Sequence, residues 1–233
     1  MSGSAITGSV SSIDLQSAPE ISNGNASLVP QTSAGMLAHG VARDAAYNNG
    51  PGGYDPEEIG TAHYPIVSAG GDAAKIESAL AKLPDDKLVT IYGAGIQFAA
   101  TSDSVKQYLS VLPDGSPRGW SSSSVWDKVP GVFDPASKMV VIATSGRFAH
   151  GSVDLALHET GHGYDFAAGG LSDSAEFVQA YDEAKDGLSS YFLQPGSAGR
   201  QETFAESFAA FYSGNQQYAA DHPSLKRYWD QHG

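Results

Sequence analysis

Two histidines four residues apart, with a glutamate directly after the first, stand in the stretch DLALHETGHGYDF at residues 154–166. On an α-helix, positions i and i+4 lie one above the other. His158 and His162 can therefore aim imidazole nitrogens at one point, and zinc takes such nitrogens at about 2.0–2.1 Å. Glu159 is the next residue round the helix. It is out of line for the same ion, yet close enough to touch a water held there. That is the arrangement of the HExxH zinc peptidases: zinc lowers the pKa of a water to about 7, and the glutamate takes its proton as it attacks a peptide carbonyl. With 7 histidines and 9 glutamates in 233 residues, shuffled order would produce this pattern about 0.01 times.

Two glycines, Gly161 and Gly163, interrupt the same stretch. Each costs a helix about 1 kcal/mol relative to alanine. Their presence predicts that another backbone, or a ligand, comes close to this helix.

A catalytic zinc site takes three protein ligands and leaves one position open. The chain has no cysteine, so the ligands must be His, Asp or Glu, and no disulfide stabilises the fold. No histidine follows at the metzincin spacing; position 168 is alanine. The third ligand is then a carboxylate further on. Asp165 lies three residues after His162, and Glu176 and Glu183 fall on the next helical segment. The better pair is Glu202 and Glu206 in RQETFAESFAAF, one turn apart on one face of a helix rich in phenylalanine and alanine. Such a pair suits one carboxylate on the metal and one accepting the spare N–H of a metal histidine.

The elements that must position these residues read as follows. A helix is expected at 73–82, capped by Asp72. The segment LVTIYGAGIQFAA reads as strand, Gly-marked turn or bulge, and strand. A second helix follows, capped by Ser102 or Asp103. A long loop carries Trp120 and Trp126, and KMVVIAT is a strand. Ser152 is expected to cap the histidine helix, which runs to Gly169 and Gly170. Asp173 opens the next helix, with Glu176 completing a capping box. Helices ending at Gly214 and starting at Pro223 complete the chain. A few strands followed by helices indicate an α+β domain.

Composition adds limits. The net charge is −13, which argues against nucleic acid as a partner. From His158 to Glu206, nine acidic residues face only Lys185 and Arg200, a net of −7; such a field attracts cations. No run of 18 apolar residues is present, so no membrane span is expected. Residues 1–35 are rich in Ser, Gly, Ala and Thr, and no Lys or Arg precedes Arg43. They lack the basic start and apolar middle of a Sec signal peptide and are expected to form a disordered arm, with the folded domain at 36–233.

HETGHGYD, followed about 40 residues later by ETFAESFAAF, resembles the catalytic domain of anthrax lethal factor and its relatives, a family that includes the clostridial Pro-Pro endopeptidases. The segment WDKVPGVFDPASKMVVIA is similar to that family's loop and edge strand before the active-site helix. The resemblance spans residues 75–212 and implies the finer assignments. Its fold implication is an α+β domain: a small mixed or antiparallel sheet with an edge strand beside the active-site helix, then a mainly helical C-terminal half. It makes His158, His162 and Glu202 the ligands of one zinc ion, Glu159 the general base, and Glu206 and Asp165 residues that support the ligands from behind. The family places an oxyanion-binding tyrosine seven residues before its glutamate ligand. Position 195 is proline, so the role falls to Tyr191, eleven residues before Glu202, with Tyr181 and Tyr212 as alternatives. In related peptidases the substrate adds as a strand to the sheet edge, expected here at residues 139–144.

The function so implied is a zinc-dependent endopeptidase of gluzincin type, acting as a monomer on a peptide or protein substrate. It would be a secreted bacterial protein, a toxin or effector exported by a specialised system into a host or target cell, with residues 1–35 as its signal. The alternative is a zinc-binding interaction module without hydrolysis.

Overall fold

A computed structural model describes residues 66–109, 126–148 and 150–233. The arm expected at residues 1–35, the start of the domain and Trp120 lie outside the described residues.

The sheet has four strands: β1 (Ile66–Ala69), β2 (Gln97–Thr101), β3 (Gly131–Asp134) and β4 (Met139–Ala143). Their order is β1-β2-β4-β3, with β1, β2 and β4 parallel and β3 antiparallel to β4. Residues 139–144, expected at the sheet edge, are therefore internal. The sequence carries the reason: MVVIA is a continuous apolar run, and Val140 to Ala143 are all buried. Strands covered on both faces read this way rather than as an alternation. The edge beside the histidine helix is β3.

Helix α1 (Ala73–Leu80) is capped by Asp72, whose side chain accepts from the Ala74 N–H. Helix α2 (Asp85–Gly93) replaces the strand expected from LVTIYG. Its β-branched residues favour strand in isolation. Pro84 and two acidic residues nevertheless start a helix there, and Leu88, Ile91 and Tyr92 then bury one helical face. Tertiary packing overrides local preference. Helix α3 (Val105–Tyr108) is capped by Ser104, two residues after the earliest expected cap.

Helix α4 (Leu155–Ala167) carries both histidines. Its cap is Asp154 rather than Ser152, because the Asp154 carboxylate reaches the Leu157 N–H at 3.2 Å and also meets Lys82 at 2.7 Å. Helix α5 (Ala175–Ala184) is capped by Ser174 rather than Asp173. Helix α6 (Ala198–Ser213) carries Glu202 and Glu206 and stops at Gly214. A short α7 (Gln216–Asp221), absent from the sequence reading, precedes α8 (Pro223–His232). Phe204 and Phe208 of α6, Phe177 of α5 and Trp229 of α8 are fully buried in one core with Leu157 of α4 and Phe98 of β2. The Trp229 Nε1–H donates to Ser207 Oγ at 2.9 Å, tying α8 to the helix that bears both glutamates. The result is an α+β domain with a small mixed sheet and a helical C-terminal half.

Candidate active site

Helices α4 and α6 pack against each other more extensively than any other pair of described elements. Gly161 makes this possible. A Cβ there would lie 2.9 Å from Ala205 Cα and 3.2 Å from Phe208 Cβ, so the backbone expected close to this helix is that of α6. Gly163 instead faces the side chains of Ile96 and Phe133.

Close approach of the two helices brings three side chains to one point. The Nε2 atoms of His158 and His162 each lie 3.4 Å from Glu202 Oε2, and the candidate ligand atoms of the three all fall within 4.8 Å of one another. A tetrahedral ion with ligands at about 2.0–2.2 Å separates neighbouring donors by about 3.3–3.6 Å. The two histidine–glutamate pairs stand at that spacing, and the three residues are of types that could hold a metal ion.

Two of the three donors have further partners. His158 Nδ1 lies 2.9 Å from Glu206 Oε2, which turns the Nε2 lone pair toward the cradle. Glu206 Oε1 accepts from the Val153 N–H at 2.9 Å. The Tyr191 hydroxyl donates to Glu202 Oε2 at 3.0 Å. The four extra residues between this tyrosine and Glu202 form turns folded onto the start of α6. Tyr181 donates its hydroxyl to the Phe192 carbonyl, and Gln194 Nε2 donates to the Tyr191 carbonyl. Tyr181 is thus a support for the loop, while Tyr212 packs on Phe208, Phe211 and Trp229.

Glu159 points to the sheet. Its Oε2 accepts from the Phe133 N–H of β3 at 2.9 Å. A Cβ on Gly131 would strike Glu159 Cγ at 2.9 Å, so only glycine leaves this carboxylate room on the strand. Asp165 is buried one turn beyond His162, and its two oxygens accept from the Ser172 N–H at 2.7 Å and the Ser172 hydroxyl at 2.6 Å. These two bonds secure the turn after α4. Glu176 is exposed and Glu183 pairs with Arg227 at 2.6 Å, so neither joins the cradle. The main-chain N–H groups of Phe133 and Val153, which hold two of the key carboxylates, have no signature in the sequence.

Electrostatics follow from burial and neighbours. Burial opposes charge on His158, but hydrogen bonds to Glu202 and Glu206 and the charge of Glu159 outweigh it and push His158 up to about 10. Burial likewise opposes charge on Glu202 and Glu206, yet the histidines hold Glu202 well below the usual carboxylate range, and His158 holds Glu206 below it. Burial raises Glu159, against the pull of both histidines.

These shifts give the metal-free protein a defined pH profile. The lowered glutamates add stability above their ordinary value of 4.5 and lose it in acid. His158 adds stability below its ordinary 6.5 and loses it as pH rises toward about 10, and the raised Glu159 acts in the same direction. Chelator-treated protein should therefore melt highest at about pH 5–6 and lower at about pH 9. A divalent ion held by His158, His162 and Glu202 would stabilise it increasingly as pH rises, because metal binding requires neutral imidazole. Scanning calorimetry with and without zinc checks this; a metal-free melting temperature that climbs from pH 6 to 9 would contradict it.

Comparison with known proteins places this site in context. The family model for the anthrax toxin lethal factor, N- and C-terminal domain, matches residues 69–224. Among solved structures, that of the Pro-Pro endopeptidase from Paenibacillus alvei has a similar fold, with a TM-score of 0.57 at 24% identity, covering 72% of this chain and 97% of that chain. No curated protein matches the sequence.

Proposed function

This chain belongs to the family of the anthrax toxin lethal factor N- and C-terminal domains, and on that premise we propose that it is a zinc-dependent endopeptidase of gluzincin type. The observation that carries the proposal is the cradle itself: His158, His162 and Glu202 converge within 4.8 Å with the carboxylate of Glu159 on the same helix. The name of the solved relative, an endopeptidase, agrees with it.

His158, His162 and Glu202 would hold one zinc ion, which supplies a Lewis acid for the attacking water and the scissile carbonyl. Glu159 takes the proton of the attacking water and passes it to the leaving amine. One of its oxygens is tethered by the Phe133 N–H, which leaves the other for the proton, and a carboxyl raised by burial suits an acceptor that must also donate near neutral pH. Tyr191 turns its hydroxyl from Glu202 to the oxygen that gains charge as the carbonyl is attacked. Glu206 keeps His158 in the tautomer that presents Nε2. Asp165 positions the end of α4 through Ser172. A structural zinc site would close with four protein ligands; among the described residues the group has three, which favours the catalytic reading over an interaction module.

The experiment is cleavage of a peptide library by the purified protein. Cleavage should stop with a zinc chelator and return with zinc alone; cleavage indifferent to the chelator would end the proposal. We further propose that the protein is exported as an effector, with residues 1–35 as signal. Secretion unchanged by their deletion would overturn that.

A further inference from the structure

Tyr191 stands eleven residues before Glu202. Helix α6 begins only at Ala198, so no helical turn carries the tyrosine to the cradle; it sits among turns at 190–193 and 195–197. Its hydroxyl nevertheless lies 3.0 Å from Glu202 Oε2, the same oxygen that stands 3.4 Å from the Nε2 atoms of both histidines. Contacts from outside the turn must set that position.

Two consecutive main-chain carbonyls of the turn are held by side chains. Tyr191 O accepts from Gln194 Nε2 at 2.8 Å, and Phe192 O accepts from the Tyr181 hydroxyl at 2.9 Å. Tyr181 comes from α5 and is only 5% exposed, so its hydroxyl is a fixed post at the border of the core. Gly199, in the first turn of α6, supplies the seat. A Cβ there would strike Phe192 O, and would lie 2.7 Å from the Tyr181 hydroxyl oxygen and 2.9 Å from Gln194 O. The turn can rest on α6 only because this position has no side chain. Further along, Arg200 donates to the Gly196 carbonyl at 3.3 Å and to Asp173 at 3.0 Å, which ties the end of the turn to the segment that follows α4.

Resting on the peptidase reading above and on the part of Tyr191 in it, we infer that Tyr181 and Gln194 are positioning residues. Seated on Gly199, they fix the turn so that the Tyr191 hydroxyl is within reach of the carbonyl oxygen that gains charge. A donor that steadies developing charge is effective when it is placed before the reaction begins, and a misplacement of about 1 Å can cost about 10²-fold in rate. Both residues act through the tyrosine.

The test is a pair of double-mutant cycles on the zinc-loaded protein, read with the best-cut peptide of the library. Tyr181→Phe keeps the ring that fills the core and removes only the hydroxyl. It should lower kcat by about tenfold, with KM and zinc content unchanged. In a Tyr191→Phe background the same substitution should change kcat by less than about twofold, because no hydroxyl is left to place. A merely structural loss would be equal in both backgrounds. Gln194→Ala repeats the cycle from a half-buried loop side chain and leaves the core intact. Binding gives a readout apart from turnover. A phosphinic analogue of that peptide, whose tetrahedral oxygens stand for the attacked carbonyl, should bind Tyr181→Phe protein about tenfold more weakly than wild type, and the difference should vanish once Tyr191 is replaced by Phe. Turnover that survives both substitutions at the wild-type rate, or that falls by the same factor with and without the Tyr191 hydroxyl, overturns the assignment. If Tyr191→Phe itself leaves kcat unchanged, the tyrosine leaves the mechanism and its positioning residues go with it, while the peptidase reading stands. If the wild type cuts no peptide, that reading fails and takes the inference with it.

Discussion

Glu159→Gln will retain the metal and lower kcat by about 10³-fold or more. A general base contributes about 10²–10⁴-fold, and among the described residues the neighbouring carboxylates are otherwise engaged: Glu202 is turned to the two histidines, Glu206 is engaged by His158 and Val153, and Asp165 by Ser172. The substitution preserves shape, and an amide oxygen still accepts from the Phe133 N–H. Zinc content per chain and peptide turnover, measured on the same preparation, separate the two effects. Full turnover would remove Glu159 from the mechanism. Loss of zinc together with turnover would make it a support of the ligands instead. Tyr191→Phe is the companion test: about 10²-fold lower kcat with zinc retained is expected if the hydroxyl steadies the charge that develops on the carbonyl oxygen.

Gly161→Ala should both destabilise the protein and weaken its hold on metal. Alanine is favoured over glycine within a helix by about 0.8–1.0 kcal/mol, so the local effect alone would stabilise. Against it stands a methyl placed 2.9 Å from Ala205 Cα, a contact with backbone that no rotamer can relieve. Overpacking of this kind costs about 1–3 kcal/mol and wins. The helices must part, and they part between the histidines on α4 and Glu202 on α6. Metal affinity should fall by about tenfold or more, as when supporting partners are lost. Gly163→Ala is the control. Its nearest neighbour is the flexible end of Ile96 at 3.3 Å, so the propensity gain should roughly balance the contact. Thermal melting and zinc competition by a fluorescent chelator read both variants; a Gly161→Ala protein that melts at or above the wild type and holds zinc equally would refute the packing argument.

Much of this site is legible in the sequence because helical periodicity is local. His158, Glu159 and His162 follow from spacing alone, and the glycine at 161 foretells a close neighbour without saying which. The pairing of α4 with α6 is not local, so spacing alone leaves Glu202 and Glu206 as an undivided pair; the family resemblance implies their separate roles, and the docking of the two helices sets Glu202 facing both histidines. The N–H groups of Phe133 and Val153 are invisible for a different reason: every residue has one, and its use depends on where the strand lies. Residues 85–93 misled because Val, Thr, Ile and Tyr favour strand, while burial of Leu88, Ile91 and Tyr92 on one helical face decided otherwise. The central place of β4 was written in its unbroken apolar run, and the capping residues were misjudged by one or two positions where several Ser and Asp compete.

Along β3, alternate residues point their main-chain groups away from β4. Pro130 O already faces β4, where it accepts from Ala143, so the outward pair is Gly131 and Phe133. Of these two donors, Phe133 is committed to Glu159. A bare strand edge is the place where separate copies of a protein zip together and precipitate. The carboxylate proposed as the general base therefore also covers one of the two outward donors of this edge, and Glu159→Ala, unlike Glu159→Gln, would uncover it as well as remove the proposed base.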